Sequence, residues 1–224
     1  SEYGWEGYIP YAELPRVVNP QVGYVATANN EVVDEKYPYH ISNIWAQPYR
    51  YERIVELLES KEKLSVQDMK DIQMDAKNLY AIEFLPNLLE TLKASPLANN
   101  YEDALKILEE WDYFDTVEQS APLIFHHLMA NMQESLFIDE MPKDLYKLMP
   151  GKAQILDEML REAYAGEKVL WIEKRGGLEK FVTTSFEKVM NDLSDEYGKN
   201  ANKWKWGDYH QLTFDHPVGS ANKY

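Results

Sequence analysis

The clearest β-strand signal in this chain is Val22-Gly23-Tyr24-Val25-Ala26-Thr27, and it has almost nothing to pair with. Pro20 stands just before it, where a proline is tolerated, and Asn29-Asn30 closes it with residues that favour turns. One further extended stretch is expected over 210–218, ending at His216-Pro217. One or two isolated strands leave backbone donors and acceptors unpaired along their edges and do not make a stable sheet. These runs are therefore expected to belong to a sheet whose other members are missing from this chain.

Between the two runs the apolar spacing is helical. Ile54, Leu57 and Leu58 share one face while Glu52, Glu56 and Glu59 share the other. Ser65 is a good N-cap for the next helix, with Asp68 at its third position. That helix is expected to carry Met69, Ile72, Ala76, Leu79 and Tyr80, and Pro86 to kink it or start a new one through Leu88, Leu89 and Leu92. Another is expected from Asn99 or Asn100 through Ala104, Leu105, Leu108 and Trp111. Further helices are expected over 120–137, with Pro122 in the first turn, over 153–165, and over 178–197, ended by Gly198. The expected fold class is mainly α, a helical region flanked by short β segments. The expected divisions are 1–46 as a β and loop segment, 47–207 as helices, and 208–224 as an extended segment. There is no internal repeat and no low-complexity tract.

Composition excludes several kinds of function. With 23 Lys and Arg against 38 Asp and Glu, the formal charge is −15, so nucleic acid and anionic membrane are not expected partners. No apolar run approaches the roughly 20 residues that span a bilayer. The absence of cysteine rules out disulfide scaffolds, thiol nucleophiles and iron–sulfur clusters. A hydrophobic fraction of 45% over 224 residues is enough for a folded core.

Few constellations in the sequence carry chemistry. His126 and His127 are neighbours on an expected helix and point roughly 100° apart, too divergent to share a metal. They read as one buried, hydrogen-bonded histidine and one surface histidine. His210 and His216 fall on one side of an extended segment but too far apart to chelate together. Gly176-Gly177 lacks the glycine spacing and trailing lysine of a nucleotide loop, and there is no Gly-x-Ser-x-Gly elbow. Glu109, Glu110, Asp112 and Asp115 read as a solvated helix end rather than a glycosidase pair. On composition alone, Asn29-Asn30 reads as a tight turn.

The residues around that turn nevertheless resemble a known family. Trp5-Glu6-Gly7-Tyr8-Ile9-Pro10, then Asn19-Pro20, then Gly23-Tyr24-Val25-Ala26-Thr27-Ala28-Asn29-Asn30 look like the penicillin acylase (penicillin amidase) family of N-terminal-nucleophile (Ntn) amidohydrolases. Tyr37-Pro38, Tyr49-Arg50, Arg53-Ile54, Leu64-Ser65, Asp68, Gln73, Asp75, Trp111-Asp112, Trp206-Gly207, His210, Phe214 and His216-Pro217 continue the likeness in order. About 136–203 match only as helices. The resemblance implies that the β segments belong to an αββα core. It also implies hydrolysis of a linear amide by the N-terminal serine of a self-cleaved large chain, whose own α-amino group is the base. The family's oxyanion asparagine maps onto Asn29, and its active-site arginine onto Arg50; Arg53 reads as a structural ion-pair residue on the same helix.

Two departures qualify the likeness. The family's nucleophile lies far upstream of the asparagine, so Ser1, with Glu2-Tyr3-Gly4 after it, reads as an end and not as the catalytic serine. A structural calcium in the family takes an aspartate shortly after the Tyr-Pro pair; here His40, Ile41 and Ser42 follow, so no metal or other cofactor is expected from this chain, while calcium stays open for the full-length protein. The expected partners are a small acyl-amine substrate, of β-lactam or acyl-homoserine lactone type, and the remaining segments of the same precursor. The chain alone is expected to be inactive, and the compartment extracytoplasmic. Two alternatives stand beside this reading. One is a non-catalytic helical interaction domain with Tyr3, Trp5, Tyr8 and Tyr11 as a partner surface; the other is a family member that has lost its nucleophile.

Overall fold

The computed structural model describes residue 4 and residues 7–214, and it divides into two compact units that meet in sequence at Asp75 and Ala76. It is mainly helical. Ser1, Tyr3, Trp5 and His216-Pro217 lie outside the described residues.

The first unit is irregular up to Pro48, apart from a single 3-10 turn at Tyr11–Glu13. The strand expected over 22–27 does not form. A strand exists only when its amides and carbonyls find a neighbour, and the one bridge among the described residues joins Lys77 to Phe114 instead. Residues 210–214 likewise hold no strand. Ala28 is the one buried residue among 7–46, while Tyr8, Tyr11, Val17, Val18, Val22 and Val25 stand exposed.

Helix α1, Tyr49–Glu59, carries the expected stripe, with Ile54, Leu57 and Leu58 half-buried and Glu52, Glu56 and Glu59 exposed. Helix α2, Val66–Gln73, opens with the expected Ser65 cap in reciprocal form. The Ser65 hydroxyl accepts the Asp68 N–H at 3.2 Å, and the Asp68 carboxylate accepts the Ser65 N–H at 2.7 Å. This helix stops at Met74 and does not run on to Tyr80 as the spacing suggests.

The second unit starts with a pairing that local spacing could not announce. The Asn78 N–H donates to the Tyr113 carbonyl at 2.7 Å and the Asp115 N–H to the Ala76 carbonyl at 2.9 Å, on either side of the Lys77–Phe114 bridge. Asn78 then caps helix α3, Leu79–Ala94, its Oδ1 accepting the Ala81 N–H at 2.8 Å. Helix α3 runs through Pro86 rather than restarting there. Pro86 lies on the exposed side with Ile82, so the carbonyl that loses a partner can turn to water, while Leu85, Leu88 and Leu92 are buried on the other side.

Helix α4 is Glu102–Glu109, after a 3-10 turn at Pro96–Asn100; Trp111 falls beyond its end, buried and bonded through Nε1 to the Phe114 carbonyl. Helix α5, Ala121–Phe137, is the centre of this unit, with Leu123, Ile124, Phe125, Leu128, Met132 and Leu136 fully buried. Short α6, Lys143–Leu148, precedes α7, Lys152–Tyr164, and α8, Leu170–Glu173, precedes α9, Leu178–Tyr197. Helix α9 packs along α5 and α3 through Phe181, Val182, Phe186 and Val189. Gly198, at φ +87°, ends α9.

The chain then returns to the start of α5. Trp204, fully buried, donates from Nε1 to the Gly198 carbonyl at 2.7 Å, and its own carbonyl accepts the Ser120 hydroxyl at 2.8 Å. Helix α10, Trp206–Tyr209, follows, fastened by Trp206 N–H to Gln119 O and Gly207 N–H to Val117 O, each 2.9 Å. Among the described residues no helix is long and apolar enough to cross a membrane.

Candidate functional site

Asn29 sits at φ +63°, in the left-handed region that asparagine adopts more readily than most residues. Its backbone carbonyl accepts the Ala46 N–H at 2.8 Å. Ahead of it, the buried Ala28 is held at both of its backbone groups: its N–H donates to Asn30 Oδ1 at 3.0 Å, and its carbonyl accepts from Arg50 Nη2 at 2.8 Å.

The same Arg50 nitrogen donates to Asn29 Oδ1 at 3.0 Å. A carboxamide has one accepting oxygen and one donating nitrogen on opposite edges of a plane. With Oδ1 taken by a guanidinium, the Asn29 Nδ2 donors lie on the far edge and face away from Arg50. Asn29 itself is exposed, so this donor is open to an acceptor arriving from outside. The structure thus brings together the two residues that the sequence marks as site residues, and gives Arg50 a side-chain partner.

Arg50 reaches this position from the first turn of α1, and Arg53, one turn on, anchors that helix. Arg53 donates to Asp75 through Nε at 2.9 Å and Nη2 at 2.8 Å, and pairs with Glu56 at 2.7 Å. The hydrogen bond with Asp75 is the largest cause that raises the Arg53 pKa above its ordinary value. This is the ion-pair role expected of it.

Calcium does not fit the segment after Tyr37-Pro38. A hard cation needs several oxygen ligands, normally with carboxylates among them. The Ser42 hydroxyl donates to the Ile44 carbonyl at 2.8 Å, and the Ile41 side chain has no donor atom. The nearest carboxylates on the sequence, Glu35 and Asp34, precede the Tyr-Pro pair, and Asp34 accepts the Lys36 N–H at 3.0 Å. Among the described residues no three His, Cys, Asp or Glu side chains converge as a metal set would.

A second polar constellation lies within the second unit and escaped the sequence. His126 Nε2 is 2.9 Å from Asp115 Oδ2, Asn78 Nδ2 donates to both Asp115 oxygens at 3.2 Å, and the His126 ring stacks on Trp206 with centroids 4.7 Å apart. His210 also stacks on Trp206, with centroids 4.8 Å apart. Asp115 is therefore not part of a solvated helix end. Nor do His126 and His127 divide into one buried and one surface residue: both are half-buried, and His127 Nδ1 is bonded to the Leu123 carbonyl while its ring meets Tyr209. No local spacing could announce these contacts, because the partners come from positions 78, 115, 126 and 206. All of them are used in fastening α3, α5 and α10 to one another, so the constellation reads as structural.

The first unit's Asn29–Arg50 arrangement is the candidate site. A model of the penicillin amidase family matches residues 1–224, the whole chain. The penicillin acylase 2 proenzyme of Pseudomonas sp. (strain SE83) is 39% identical over 75 residues, which cover 34% of this chain and 10% of that protein. The acyl-homoserine lactone acylase QuiP of Pseudomonas aeruginosa is 24% identical over 231 residues, 94% of this chain and 27% of its own length. The penicillin G acylase of Escherichia coli is 24% identical over 235 residues, 92% of this chain and 28% of its own length. Among solved structures, the chain is similar in fold to the thermostable penicillin G acylase from Alcaligenes faecalis. The TM-score is 0.66 at 19% identity, over 90% of this chain and 41% of that one. The chain spans at most 28% of the length of these three curated relatives.

Proposed function

The chain belongs to the penicillin amidase family, and from that premise we propose that it is the segment of a linear-amide hydrolase that supplies the oxyanion donor, Asn29, and the arginine that aims it, Arg50. The nucleophile in this reading is the N-terminal serine of the processed large chain, on a part of the polypeptide outside these 224 residues. Its α-amino group takes the hydroxyl proton as the oxygen attacks the acyl–amine carbonyl. The carbonyl oxygen becomes an oxyanion, and an Asn29 Nδ2–H donates to it. Collapse of the tetrahedral species breaks the C–N bond, and the departing amine takes the proton from the α-amino group. Water then cleaves the acyl-serine and releases the carboxylic acid.

The observation that carries this reading is the hydrogen bond from Arg50 to Asn29 Oδ1, because it leaves the side chain's donors, and not its oxygen, facing outward. A donor fixed before the reaction stabilises developing charge without the reorganisation that water would need.

The rest of the proposal follows from that role. The substrate is a small acyl-amine of the kind named for the relatives, a penicillin or an acyl-homoserine lactone. The exposed apolar side chains of residues 7–46 are covered by further segments of the same precursor, whose strands pair with the run 22–27. Residues 1–46 are then the core segment that bears the donor, 47–207 the helical region, and 208–224 the segment through which the chain returns to the core. The 224-residue chain by itself has no activity, it contributes no cofactor, and the whole protein works outside the cytoplasm.

The test is Asn29→Ala in the whole protein, assayed on penicillin G and on an acyl-homoserine lactone. Loss of one oxyanion donor is expected to cost roughly 10²–10³ in kcat. A change below about threefold would remove Asn29 from the mechanism.

A further inference from the structure

We infer that Asn30 is a positioning residue for Asn29, and that it sets how well the donor is aimed rather than how well substrate binds. The inference rests on the reading that Asn29 donates to the oxyanion. Asn29 is exposed and left-handed, so nothing buried holds its side chain in place; its direction is fixed by what is bonded around it. Two carbonyls flank the Cα of Asn29 and one N–H precedes it by a residue, and each is bonded. The Asn29 carbonyl is held by Ala46, the Ala28 carbonyl by Arg50, and the Ala28 N–H by Asn30 Oδ1.

The Asn30 bond is the one made by a side chain that folds back across the strained residue. It spans Asn29, from the side chain of residue 30 to the peptide N–H of residue 28, and so it closes a ring around the two peptide units that Asn29 joins. The Asn30 amide is itself locked, because its Nδ2 donates to the Glu31 carbonyl at 2.8 Å, which leaves Oδ1 turned to Ala28. Arg50 cannot replace this function. It pulls on the Ala28 carbonyl and on Asn29 Oδ1 from α1, but it makes no bond to the Ala28 N–H.

Without the Asn30 acceptor that ring opens, the backbone of residues 28–30 gains freedom to turn about the Arg50 contact to the Ala28 carbonyl, and the Asn29 donors swing with it. A donor misplaced by about 1 Å costs on the order of 10²-fold in rate. The loss should appear in kcat, since the oxyanion exists only along the reaction path, while KM stays near its starting value.

The experiment compares Asn30→Ala, Asn30→Ser and Asn29→Ala in the whole processed protein, with kcat and KM measured separately on one acyl-amine substrate. Serine keeps an oxygen able to accept a nearby backbone N–H, though more weakly than asparagine. The expected result is a fall of roughly tenfold to 100-fold in kcat for Asn30→Ala, a smaller fall for Asn30→Ser, and KM within about twofold in both. If Asn30→Ala does not fold or process, Asn30→Ser decides: a kcat loss beyond about threefold at unchanged KM supports the inference, and unchanged kcat overturns it. Loss in Asn29→Ala with wild-type kcat in the Asn30 variants overturns the positioning role alone. Wild-type rates in all three variants, or no amide hydrolysis by the parent protein, overturn the proposed function and this inference with it.

Discussion

One nitrogen of the Arg50 guanidinium holds Asn29 Oδ1 at 3.0 Å while it also holds the carbonyl of Ala28, the residue before, at 2.8 Å. A side-chain oxygen and a backbone oxygen of consecutive residues are thus fixed by the same group, and α1 becomes the reference against which the asparagine is aimed. Arg53 secures α1 in turn, through its paired bonds to Asp75.

This arrangement makes Arg50→Lys a poor substitute. An ammonium keeps the charge and has donors enough for both oxygens, but it loses the fixed donor directions of the planar guanidinium, and its different reach breaks at least one contact. If Arg50 aims Asn29 as proposed, Arg50→Lys in the whole protein should lower kcat by roughly tenfold or more, and Arg50→Ala by roughly 10²-fold. Steady-state kinetics on an acyl-amine substrate checks this, and a lysine variant within twofold of the parent would show that charge alone suffices.

The start of α2 should respond to acid. The Asp68 pKa is held below the ordinary aspartate range, first by the hydrogen bond from Lys61 and then by those from Ser65. A carboxyl lowered on folding is one to which the unfolded chain binds a proton more tightly. Its contribution to stability is therefore complete above the unfolded value, about 3.9, and is lost as pH falls from there toward the depressed folded value. An NMR titration of the Asp68 carboxyl should place its midpoint below that of an ordinary aspartate, and Ser65→Ala should move the midpoint up. A midpoint at the ordinary value would mean that the capping box is not maintained in solution.

What could be read ahead of the structure was whatever rests on neighbouring residues. Helix α9 starts at Leu178 and ends at Tyr197 because its apolar spacing and Gly198 are both local, and α5 begins after Ser120 with Pro122 in its first turn for the same reason. The break between α2 and α3 was hidden, because it depends on Lys77 meeting Phe114, thirty-seven positions on. The sequence leaves open whether Pro86 kinks a helix or starts a new one, because its exposure, which lets α3 run through it, is set by packing. Helices α6, α8 and α10 are too short to show a period. Composition read Asn29-Asn30 as a turn, and the backbone at φ +63° agrees; the bond from Arg50 joins residues twenty-one positions apart and lay beyond composition.

The His126–Asp115 contact should matter more to the seat of α10 than to any chemistry. Both side chains are about a quarter to a third exposed, at 31% and 24%, and Asn78 Nδ2 lies within reach of each. Asp115→Ala removes the acceptor shared by Asn78 and His126 and leaves them only each other across 3.2 Å, at a cost of about 1 kcal/mol. Because the His126 ring stacks on Trp206, its loosening should change the indole environment. Thermal unfolding of the chain and Trp fluorescence, with Trp206→Phe as the reference, measure the two effects. An unaltered melting temperature together with an unaltered spectrum would exclude the role.

Gly207 offers the sharpest test of how α10 is held. Its N–H donates to the Val117 carbonyl at 2.9 Å, and a Cβ at this position would stand 3.0 Å from Val117 Cβ and 3.2 Å from the Val117 carbonyl oxygen. The Val117 side chain is exposed and its methyl groups have room to turn, but its Cβ position is set by the backbone, and neither Cβ nor carbonyl can retreat without lengthening the hydrogen bond to residue 207. The backbone of Gly207 has no positive φ, so strain in the residue itself does not contribute, and alanine would otherwise be the better helix former. The close approach should outweigh that gain. Gly207→Ala is expected to cost about 1–3 kcal/mol, to shift residues 205–209 away from Val117, and to weaken the Trp206 N–H bond to Gln119 that lies beside it. Amide exchange at Trp206 and Gly207, together with the melting temperature, reads the outcome. If Gly207→Ala stabilises the chain, helix propensity has won, and the loop carrying Val117 is compliant enough to follow.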